Sequence, residues 1–263
     1  MTRTKPDVRR AREAYLSGHS AVQEWLAVLP AAAWSEPSVL PGWTVAELAA
    51  HVVDDARTVA GLSRAPRGVR ARTVAEYLER RAHAAEASGE AARKLAASVE
   101  SPKDLVALHR DNCLAAAGVL DEMGDGDPVV VESDVPIRLS GLLAARAVEL
   151  AVHGDDLERS VPDVAPLAVP REVIRRAVRT LLDVLAERAP GGAVEVRVPP
   201  YAAVQCVGGP RHTRGTPSNV VETDATTWLR LATGRVSWPE ALATGALSAS
   251  GERADLSHQL PLR

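Results

Sequence analysis

Glu149 and His153 have the residue types and the spacing of a metal-binding pair. They lie four residues apart in a segment whose apolar residues recur with the period of a helix. At this spacing two side chains share one helix face, with their Cβ atoms about 5–6 Å apart. A carboxylate and a neutral imidazole placed in this way can supply two ligands to Zn²⁺ or a similar divalent cation. The same spacing is typical of an exposed pair on a helix surface, so it does not define a site alone.

His51 is a candidate for a third ligand. It lies within another predicted helix, beside the apolar residues Leu48 and Val52. A histidine next to an apolar helix face is more often a hydrogen-bonded core residue than a ligand. In a helix bundle, however, neighbouring helices can bring His51 to Glu149 and His153, because bundle interiors commonly hold metal sites. Both interpretations stay open at this point.

Three carboxylates near the two histidines are candidates for orienting a ligating ring. Asp54 and Asp55 follow His51 by three and four residues, and Asp156 follows His153 by three. Histidines that bind a metal usually donate their second ring N–H to an acceptor of this kind. The alternative interpretation for each is a solvent-facing carboxylate on a helix surface.

The elements that must position these residues are predicted to be helices through most of residues 1–160. Thr44 and Thr73 each open a capping box with a glutamate three residues later, and Ser101 precedes a proline, as at many helix starts. Ser140 is the predicted N-cap of the helix that carries Glu149. Helices are therefore predicted over residues 6–29, from residue 44 onward, and over residues 73–99, 101–123 and 140–157.

These segments predict an antiparallel helix bundle with one additional helix or hairpin. The short apolar run from Val129 to Val131 is too short and isolated to indicate a strand. Pro162, Pro166 and Pro170 then mark a linker. We therefore predict two domains, residues 1–160 and residues 161–263.

The second domain is predicted to be a small α+β domain. Val194, Val196 and Val198 alternate with charged residues, which is typical of a half-buried strand. Asp224 is a candidate N-cap of a short helix that contains Trp228. The prediction also includes a helix over residues 171–188 and a second short helix over residues 238–243. Further strands are predicted over residues 203–207, 219–222 and 247–250.

Composition and charge exclude several classes of protein. The chain of 263 residues is 46% hydrophobic and has a net charge of −3, so neither disorder nor binding to nucleic acid is expected. No apolar run reaches the roughly 18 residues of a membrane span, and the basic N-terminal residues precede no apolar stretch of a secretory signal. Cys113 and Cys206 lie far apart, and neither sits in a C-x-x-C motif. We expect reduced thiols in a cytoplasmic protein.

Two stretches resemble a known family. Leu40–Val52, which reads LPGWTVAELAAHV, resembles the start of the second helix in the DinB-like family, and more narrowly the metal-binding domain of the mycothiol-dependent maleylpyruvate isomerase family. Arg146–Leu157, which reads RAVELAVHGDDL, is similar to the other half of that signature. The resemblance implies a four-helix bundle in which His51, Glu149 and His153 bind a divalent metal, usually taken as zinc.

The resemblance also implies a function, that of a mycothiol-dependent isomerase or thiol S-transferase. Three protein ligands leave a fourth position open, as in catalytic zinc sites, and zinc deprotonates a coordinated thiol. Neither Cys113 nor Cys206 lies in a motif suited to that role, so we expect an external thiol, mycothiol or a similar compound. The expected substrate is a small electrophile, to which the thiol is added or transferred.

The second domain carries a resemblance of its own. Glu222–Asp224, Trp228–Gly234 and Ala241–Gly251 resemble the end of a sterol carrier protein type domain, and Val194–Leu262 is similar to a bacterial branch of that family. The resemblance implies a sheet covered by helices around an apolar ligand tunnel. An alternative function is therefore a lipid or acyl carrier whose metal-binding bundle is not catalytic. A third possibility is a protein that acts only through interactions with other proteins.

One loop in the second domain is a candidate for binding substrate. Residues 208–217 are rich in glycine, proline and threonine, and they contain Arg211, His212 and Arg214. Arginine forks suit planar anions, so these three side chains could bind a carboxylate or a phosphate. The alternative is the solvated tip of a hairpin.

Overall fold

The chain folds into two compact units, residues 1–173 and residues 174–263. The computed structural model describes residues 7–209 and 218–262. The predicted fold class is confirmed, since a helical unit precedes a small unit that contains both helices and a sheet. The domain boundary that we place after residue 160 stays a prediction.

The first unit is built mainly from helices. They are α1 (Val8–Val28), α2 (Val45–Ala60), α3 (Val74–His83), α4 (Ala85–Ser98), α5 (Pro102–Glu122) and α6 (Leu139–Ser160). α2 packs against α4, α5 and α6, and α1 packs against α5 and α6. The interior face of α2 is aliphatic, with Leu48, Val53 and Val59 fully buried. α2 and α6 are therefore packed neighbours, and side chains from both can meet.

Local capping signals set the starts of α2 and α3 as predicted. The Thr44 side chain accepts a hydrogen bond from the Glu47 backbone N–H, and the Glu47 carboxylate accepts one from the Thr44 backbone N–H. Thr73 and Glu76 form the same capping box. Each box satisfies two backbone donors that would otherwise lack a partner at a helix start.

The predicted continuous helix over residues 73–99 is wrong. Ala84 has φ −90° and ψ 5°, and this backbone separates α3 from α4. Alanine is the best helix former, so the sequence carries no signal for a break at this position. The interruption separates α3 from α4, and α4 is one of the three helices that pack on α2.

The start of α6 also differs from the prediction. The helix begins at Leu139 with Arg138 at the N-cap, so Ser140 is not the capping residue. Ser140 instead donates its backbone N–H and its hydroxyl to the Asp127 carboxylate, at 2.8 and 2.9 Å. A side chain from the preceding loop therefore caps this helix, which local sequence rules do not detect.

A three-stranded sheet in the first unit was not predicted. β1 (Ser63–Arg64), β2 (Val129–Glu132) and β3 (Val135–Arg138) are antiparallel neighbours in that order. Ser133 and Asp134 form the two-residue turn between β2 and β3, with φ of 46° and 64°. Positive φ at both positions is typical of a tight hairpin, usually with Asn-Gly or Asp-Gly. Ser-Asp carries that signal only weakly.

The second unit contains the predicted sheet. α7 (Arg171–Arg188) begins at the boundary between the units, and β4 (Val194–Val198), β5 (Ala202–Cys206), β6 (Val220–Thr223) and β7 (Leu247–Ser250) follow it with the helices α8 (Ala225–Ala232) and α9 (Trp238–Ala243). The sheet order is β5-β4-β6-β7, with β4 and β6 parallel and the other pairs antiparallel. The predicted alternation is confirmed, because Val194, Val196 and Val198 are all buried.

None of the helices in the part of the chain that the structure describes is long and apolar enough to cross a membrane.

Candidate metal centre

His51 from α2 and Glu149 and His153 from α6 meet at one point of the first unit. One Glu149 oxygen, Oε2, lies 3.6 Å from His51 Nε2 and 3.4 Å from His153 Nε2. The two imidazole rings are 4.7 Å apart between centroids and nearly perpendicular. One ligand atom from each residue lies within 4.8 Å of the other two. The three donor atoms are therefore close enough to contact a single ion.

The surroundings of this cluster are mostly closed to solvent. The His51 and His153 side chains are each 14% exposed, and that of Glu149 is 23% exposed. A cavity of about 10 Å³ lies among the three residues and is also lined by Asp55 and Leu150. That volume suits a single water-sized occupant. The partial exposure of Glu149 leaves one side of the cluster open.

Asp156 orients the His153 ring. Its Oδ2 lies 3.1 Å from His153 Nδ1, and its Oδ1 accepts a hydrogen bond from Arg159 at 2.7 Å. Because Asp156 is a buried carboxylate, the hydrogen on His153 belongs on Nδ1. The Nε2 lone pair then faces Glu149 and the cavity, which is the tautomer that a metal ligand requires.

The surroundings of His51 include α4, a helix whose role the sequence did not indicate, and Trp43. Ser88 of α4 places its hydroxyl 3.4 Å from His51 Nδ1. Trp43, immediately before α2, packs edge-on against the His51 ring at 5.9 Å between centroids. Arg93 of α4 lies over the Trp43 ring, 5.3 Å from its centroid. α4 thus contributes both a polar and a packing contact around this histidine.

The two aspartates after His51 lie in different surroundings, and neither contacts its ring. Asp54, which is partly buried, accepts a hydrogen bond at 2.6 Å from the exposed Arg57 of the same helix. Asp55 is buried, where it is hydrogen-bonded to Arg146 and lies 3.2 Å from His19 Nε2. Asp55 nevertheless lines the cavity, because it lies one helical turn beyond His51.

Two carboxyl groups of this region, those of Glu149 and Asp55, have lowered pKa values. Burial by itself would raise the pKa of Glu149, but the adjacent His153 and His51 rings hold that pKa well below its usual range. Burial likewise opposes ionisation of Asp55, and the charge of Arg146 together with the contact from His19 lowers its pKa to about 2. Anionic oxygen and neutral imidazole nitrogen form a donor set suited to a divalent cation.

A buried guanidinium lies behind the cluster. Arg146 is fully buried, pairs with Asp55, and donates to Glu132 Oε1 and to the Tyr77 hydroxyl, both at 2.9 Å. Tyr77 in turn donates to Glu132 Oε2 at 2.9 Å. These residues come from α2, α3, β2 and α6, so their spacing in the sequence does not predict the network. The positive charge of Arg146 offsets part of the negative charge that the carboxylates place around Glu149.

Neither cysteine of the chain is a thiolate at neutral pH. Burial is the main cause in both cases, raising the pKa of Cys113 to about 12 and that of Cys206 to about 11. A reactive thiol at the cluster would therefore have to come from another molecule. The predicted substrate-binding residues Arg211, His212 and Arg214 lie outside the described residues.

The second unit has a cavity of its own, with a volume of about 300 Å³. Its walls come from α8, α9 and the C-terminal segment, and they include Leu231, Trp238, Leu260 and Pro261. The sheet does not line it. The walls are mainly apolar with Ser237 and Ser257 among them, and the volume is at the lower end of the range for small-molecule pockets.

Fold and donor cluster together define a class of protein in which a helical unit with a histidine–glutamate–histidine cluster precedes a small α+β unit. The family model described as the mycothiol maleylpyruvate isomerase N-terminal domain matches residues 15–158, more than half of the chain. The chain belongs to this family. A second model, described as a bacterial SCP ortholog, matches residues 170–262. Both predicted resemblances are therefore confirmed.

Solved structures with this fold include a crystal structure of the mycothiol-dependent maleylpyruvate isomerase. It is 16% identical, with a TM-score of 0.59 and coverage of 94% of each chain. A histidine-to-alanine mutant of the mycothiol-dependent maleylpyruvate isomerase gives 17% identity, a TM-score of 0.57 and the same coverage. At this identity the likeness shows the fold alone. The search of curated proteins finds no match.

Proposed function

We propose that His51, Glu149 and His153 bind a divalent metal ion, and that the protein uses mycothiol or a similar thiol to transform a small electrophile. The observation that carries the proposal is the convergence of two imidazole nitrogens and one carboxylate oxygen within 4.8 Å of one another. Two histidines and one glutamate form a known ligand set of catalytic zinc, which makes Zn²⁺ the first candidate. Membership of the family supports the choice of mycothiol.

The residues present fit such an ion. When bound, Zn²⁺ would supply an open coordination position at which a thiol loses its proton near neutral pH. Asp156 keeps the hydrogen of His153 on Nδ1 and leaves Nε2 available. Arg146 offsets part of the negative charge around the cluster. Trp43 packs edge-on against the His51 ring and helps to hold it in place.

The reaction class is taken from the family, whose model is described as mycothiol maleylpyruvate isomerase. If the reaction is thiol-dependent, a small thiol must act as co-substrate, because burial raises the pKa of both Cys113 and Cys206. Addition of a thiol to an activated double bond allows either cis–trans isomerisation, when the thiol leaves again, or net thiol transfer, when it remains. Arg211, His212 and Arg214 stay predicted partners of a substrate anion.

Elemental analysis of His51→Gln tests the metal site. We expect this variant to lose one equivalent of metal per chain relative to the wild type, because two ligands on one helix hold the ion weakly. His83→Gln is the matched control, since His83 is exposed on α3 and bonds only to a backbone carbonyl of its own helix. Equal metal content in the wild type and His51→Gln would contradict the proposed site.

Thiol dependence is tested by turnover of maleylpyruvate or a similar electrophile with and without mycothiol. We expect activity in the wild type only with added thiol, and a loss of at least about 100-fold in His51→Gln. His83→Gln should retain the wild-type rate. Turnover that needs no thiol, or that survives His51→Gln, would contradict the proposed chemistry.

Binding of an apolar ligand by the second unit is a second candidate function, and the cavity of about 300 Å³ favours it. Ser257→Trp would fill this cavity, whereas Ser248→Trp places the same side chain on an exposed position of β7. We expect a fluorescent acyl probe to bind the wild type and Ser248→Trp, and to bind Ser257→Trp at least tenfold more weakly. Equal binding by all three proteins would contradict a ligand in this cavity.

A further inference from the structure

A second cluster of potential metal ligands lies in the interior of the first unit. His19 of α1 and His109 of α5 are both fully buried, and Cys113 follows His109 by one turn of α5. One ligand atom from each of the three residues lies within 4.8 Å of the other two. This cluster shares no residue with the one formed by His51, Glu149 and His153.

Gln23 determines which nitrogen of His109 carries hydrogen. The Gln23 amide nitrogen donates to the Val106 carbonyl at 3.0 Å, so the amide oxygen is the atom that faces His109. That oxygen lies 2.6 Å from His109 Nδ1. An amide oxygen only accepts hydrogen bonds, so Nδ1 of His109 must be the donor.

Asp55 determines which nitrogen of His19 carries hydrogen. The Asp55 Oδ2 atom lies 3.2 Å from His19 Nε2, and the other carboxylate oxygen is paired with Arg146. An ionised carboxylate only accepts hydrogen bonds, so Nε2 of His19 must be the donor. Each ring therefore donates an N–H away from the other ring.

The two remaining nitrogens face each other across a short gap. His19 Nδ1 and His109 Nε2 are 3.0 Å apart. A neutral imidazole has one N–H, and both rings already use theirs on Asp55 and Gln23, so two lone pairs meet. This contact is repulsive unless a cation lies between the nitrogens. Two nitrogen ligands of one tetrahedral Zn²⁺, each at 2.0–2.1 Å, are roughly 3.3–3.4 Å apart, so a small opening of the rings accommodates an ion.

We propose that His19, His109 and Cys113 bind a second divalent metal ion of the zinc type. The ring nitrogens that face away from the gap, Nε2 of His19 and Nδ1 of His109, already have the carboxylate and carbonyl acceptors that accompany metal-bound histidines. On binding, a bond forms between the ion and Sγ of Cys113, and the thiol proton goes to solvent. The two histidines are closed to solvent and join α1 to α5, so the ion has a structural role.

Asp55 would connect this ion to the first cluster. It accepts the hydrogen bond of His19 and also lines the cavity beside Glu149. The second ion would fix the His19 ring and, through it, the Asp55 carboxylate. The proposal rests on the contacts of the second cluster alone and does not depend on the function proposed for the first.

Cobalt substitution of the full-length protein tests the proposal without added thiol. The first cluster has no sulfur ligand, so a thiolate-to-cobalt charge-transfer band reports only a cysteine ligand. We expect this band in the wild type, in Cys206→Ser and in His51→Gln. We expect it to be absent in Cys113→Ser, which changes one atom of a half-buried side chain and leaves the two rings in place. Cys113→Ser should also hold one equivalent less metal than Cys206→Ser.

Several results would overturn the proposal. One is the absence of the band in the wild type, and another is a band that persists in Cys113→Ser. A third is an imidazolium shared by His19 and His109 in the nitrogen NMR spectrum of metal-loaded protein. The cation between the two rings would then be a proton and not a metal ion. Loss of metal in His51→Gln with the band intact tests the first cluster separately, so the two proposals can fail independently.

Discussion

The contact between Asp156 and His153 determines which ring nitrogen of that histidine is free. A buried carboxylate holds the hydrogen on Nδ1, and Nε2 then points at the cavity beside Glu149. In metal sites such a partner both selects the tautomer and raises the basicity of the ligand. A single hydrogen bond outside the donor cluster therefore controls one of its three donors.

Asp156→Asn should weaken metal binding by about 10–100-fold, because an amide holds the ring less strongly than a carboxylate. Competition with a fluorescent chelator measures this affinity. Asp155→Asn is the matched control, since Asp155 pairs with Arg159 at 3.0 Å on the more exposed side of the same helix. Equal affinities for the two variants would show that Asp156 does not orient the ligand.

The low pKa of Asp55 predicts how stability depends on pH. Its pKa is about 2 in the folded protein against 3.8 as the reference value. A carboxyl group whose folded pKa is depressed contributes stability above its unfolded pKa, and this contribution disappears as pH falls through the folded value. The window therefore runs from about pH 4 down to about pH 2, and the contribution is about 2 kcal/mol.

Denaturant unfolding of chelator-treated protein between pH 7 and pH 3 measures this dependence. We expect the free energy of unfolding of the wild type to fall toward pH 3, and that of Asp55→Asn to be lower at pH 7 and to change less. Asp54→Asn is the control, because Asp54 pairs with Arg57 on a more exposed part of α2. A slope for Asp55→Asn as steep as that of Asp54→Asn would contradict the assignment.

At the scale of elements, α6 is the helix that organises the centre of the first unit. Successive turns of α6 carry Arg146, Glu149, His153 and Asp156. The helix therefore presents a cation, two donors of the cluster and the acceptor that orients one of them. Because all four lie on one rigid element, their relative positions depend little on the loops around them.

Arg146 should be the most costly residue of this helix to replace. Arg146→Met removes the cation that pairs with Asp55 and leaves Glu132 only the more distant Arg81, at 4.0 Å, and loss of one partner of a buried pair costs about 3–5 kcal/mol. Arg110→Met removes an arginine that pairs with Asp111 on the surface, where such pairs contribute about 0–1 kcal/mol. Urea denaturation compares the two variants, and similar costs would contradict the role of Arg146.

α4 is the second element that shapes the site, and a glycine lets it approach Trp43. A Cβ atom at Gly89 would lie 3.0 Å from Trp43 Cζ2, whereas one at Gly118 of α5 meets nothing within 4 Å. Gly118→Ala should stabilise the protein by about 0.5–1 kcal/mol through helix propensity. Gly89→Ala should stabilise the protein less than Gly118→Ala, or destabilise it, because Trp43 must shift against His51.

Thermal denaturation measures the stability of both glycine variants, and competition with a fluorescent chelator measures their metal affinity. We expect Gly89→Ala to bind metal more weakly than Gly118→Ala, since Trp43 packs on the His51 ring. Equal gains in stability and equal metal affinity would mean that Trp43 moves without disturbing the site.

At the scale of the whole molecule, two units that match separate family models share one chain. The first matches the isomerase family over residues 15–158, and the second matches the bacterial SCP family over residues 170–262. Each has its own sheet, and the described parts of the two units hold different kinds of cavity, a small one beside ionisable residues and a larger apolar one. Metal chemistry in the first unit and binding of an apolar ligand in the second are therefore tested with different protein variants.

Much of the architecture follows from the sequence by itself, because the signals involved are local. Capping boxes at Thr44 and Thr73 span only three residues, and the alternation of Val194, Val196 and Val198 reports burial of one strand face directly. The two family motifs likewise identified the candidate donors before any contact between helices was known. The break at Ala84 escaped prediction because alanine favours helix, and no local feature opposes it.

Only the tertiary structure decided how these residues meet. Ser88 reaches His51 across 37 positions of sequence, Arg146 reaches Asp55 across 91, and His19 reaches His109 across 90. No periodicity or spacing rule links residues so far apart, since their proximity depends on how the helices pack. Asp54 and Asp55 illustrate the consequence, because they are adjacent in sequence and yet Asp54 pairs with the exposed Arg57 while Asp55 lies within the buried network. Burial and partner, rather than residue type, set the chemistry of each carboxylate, and packing determines both.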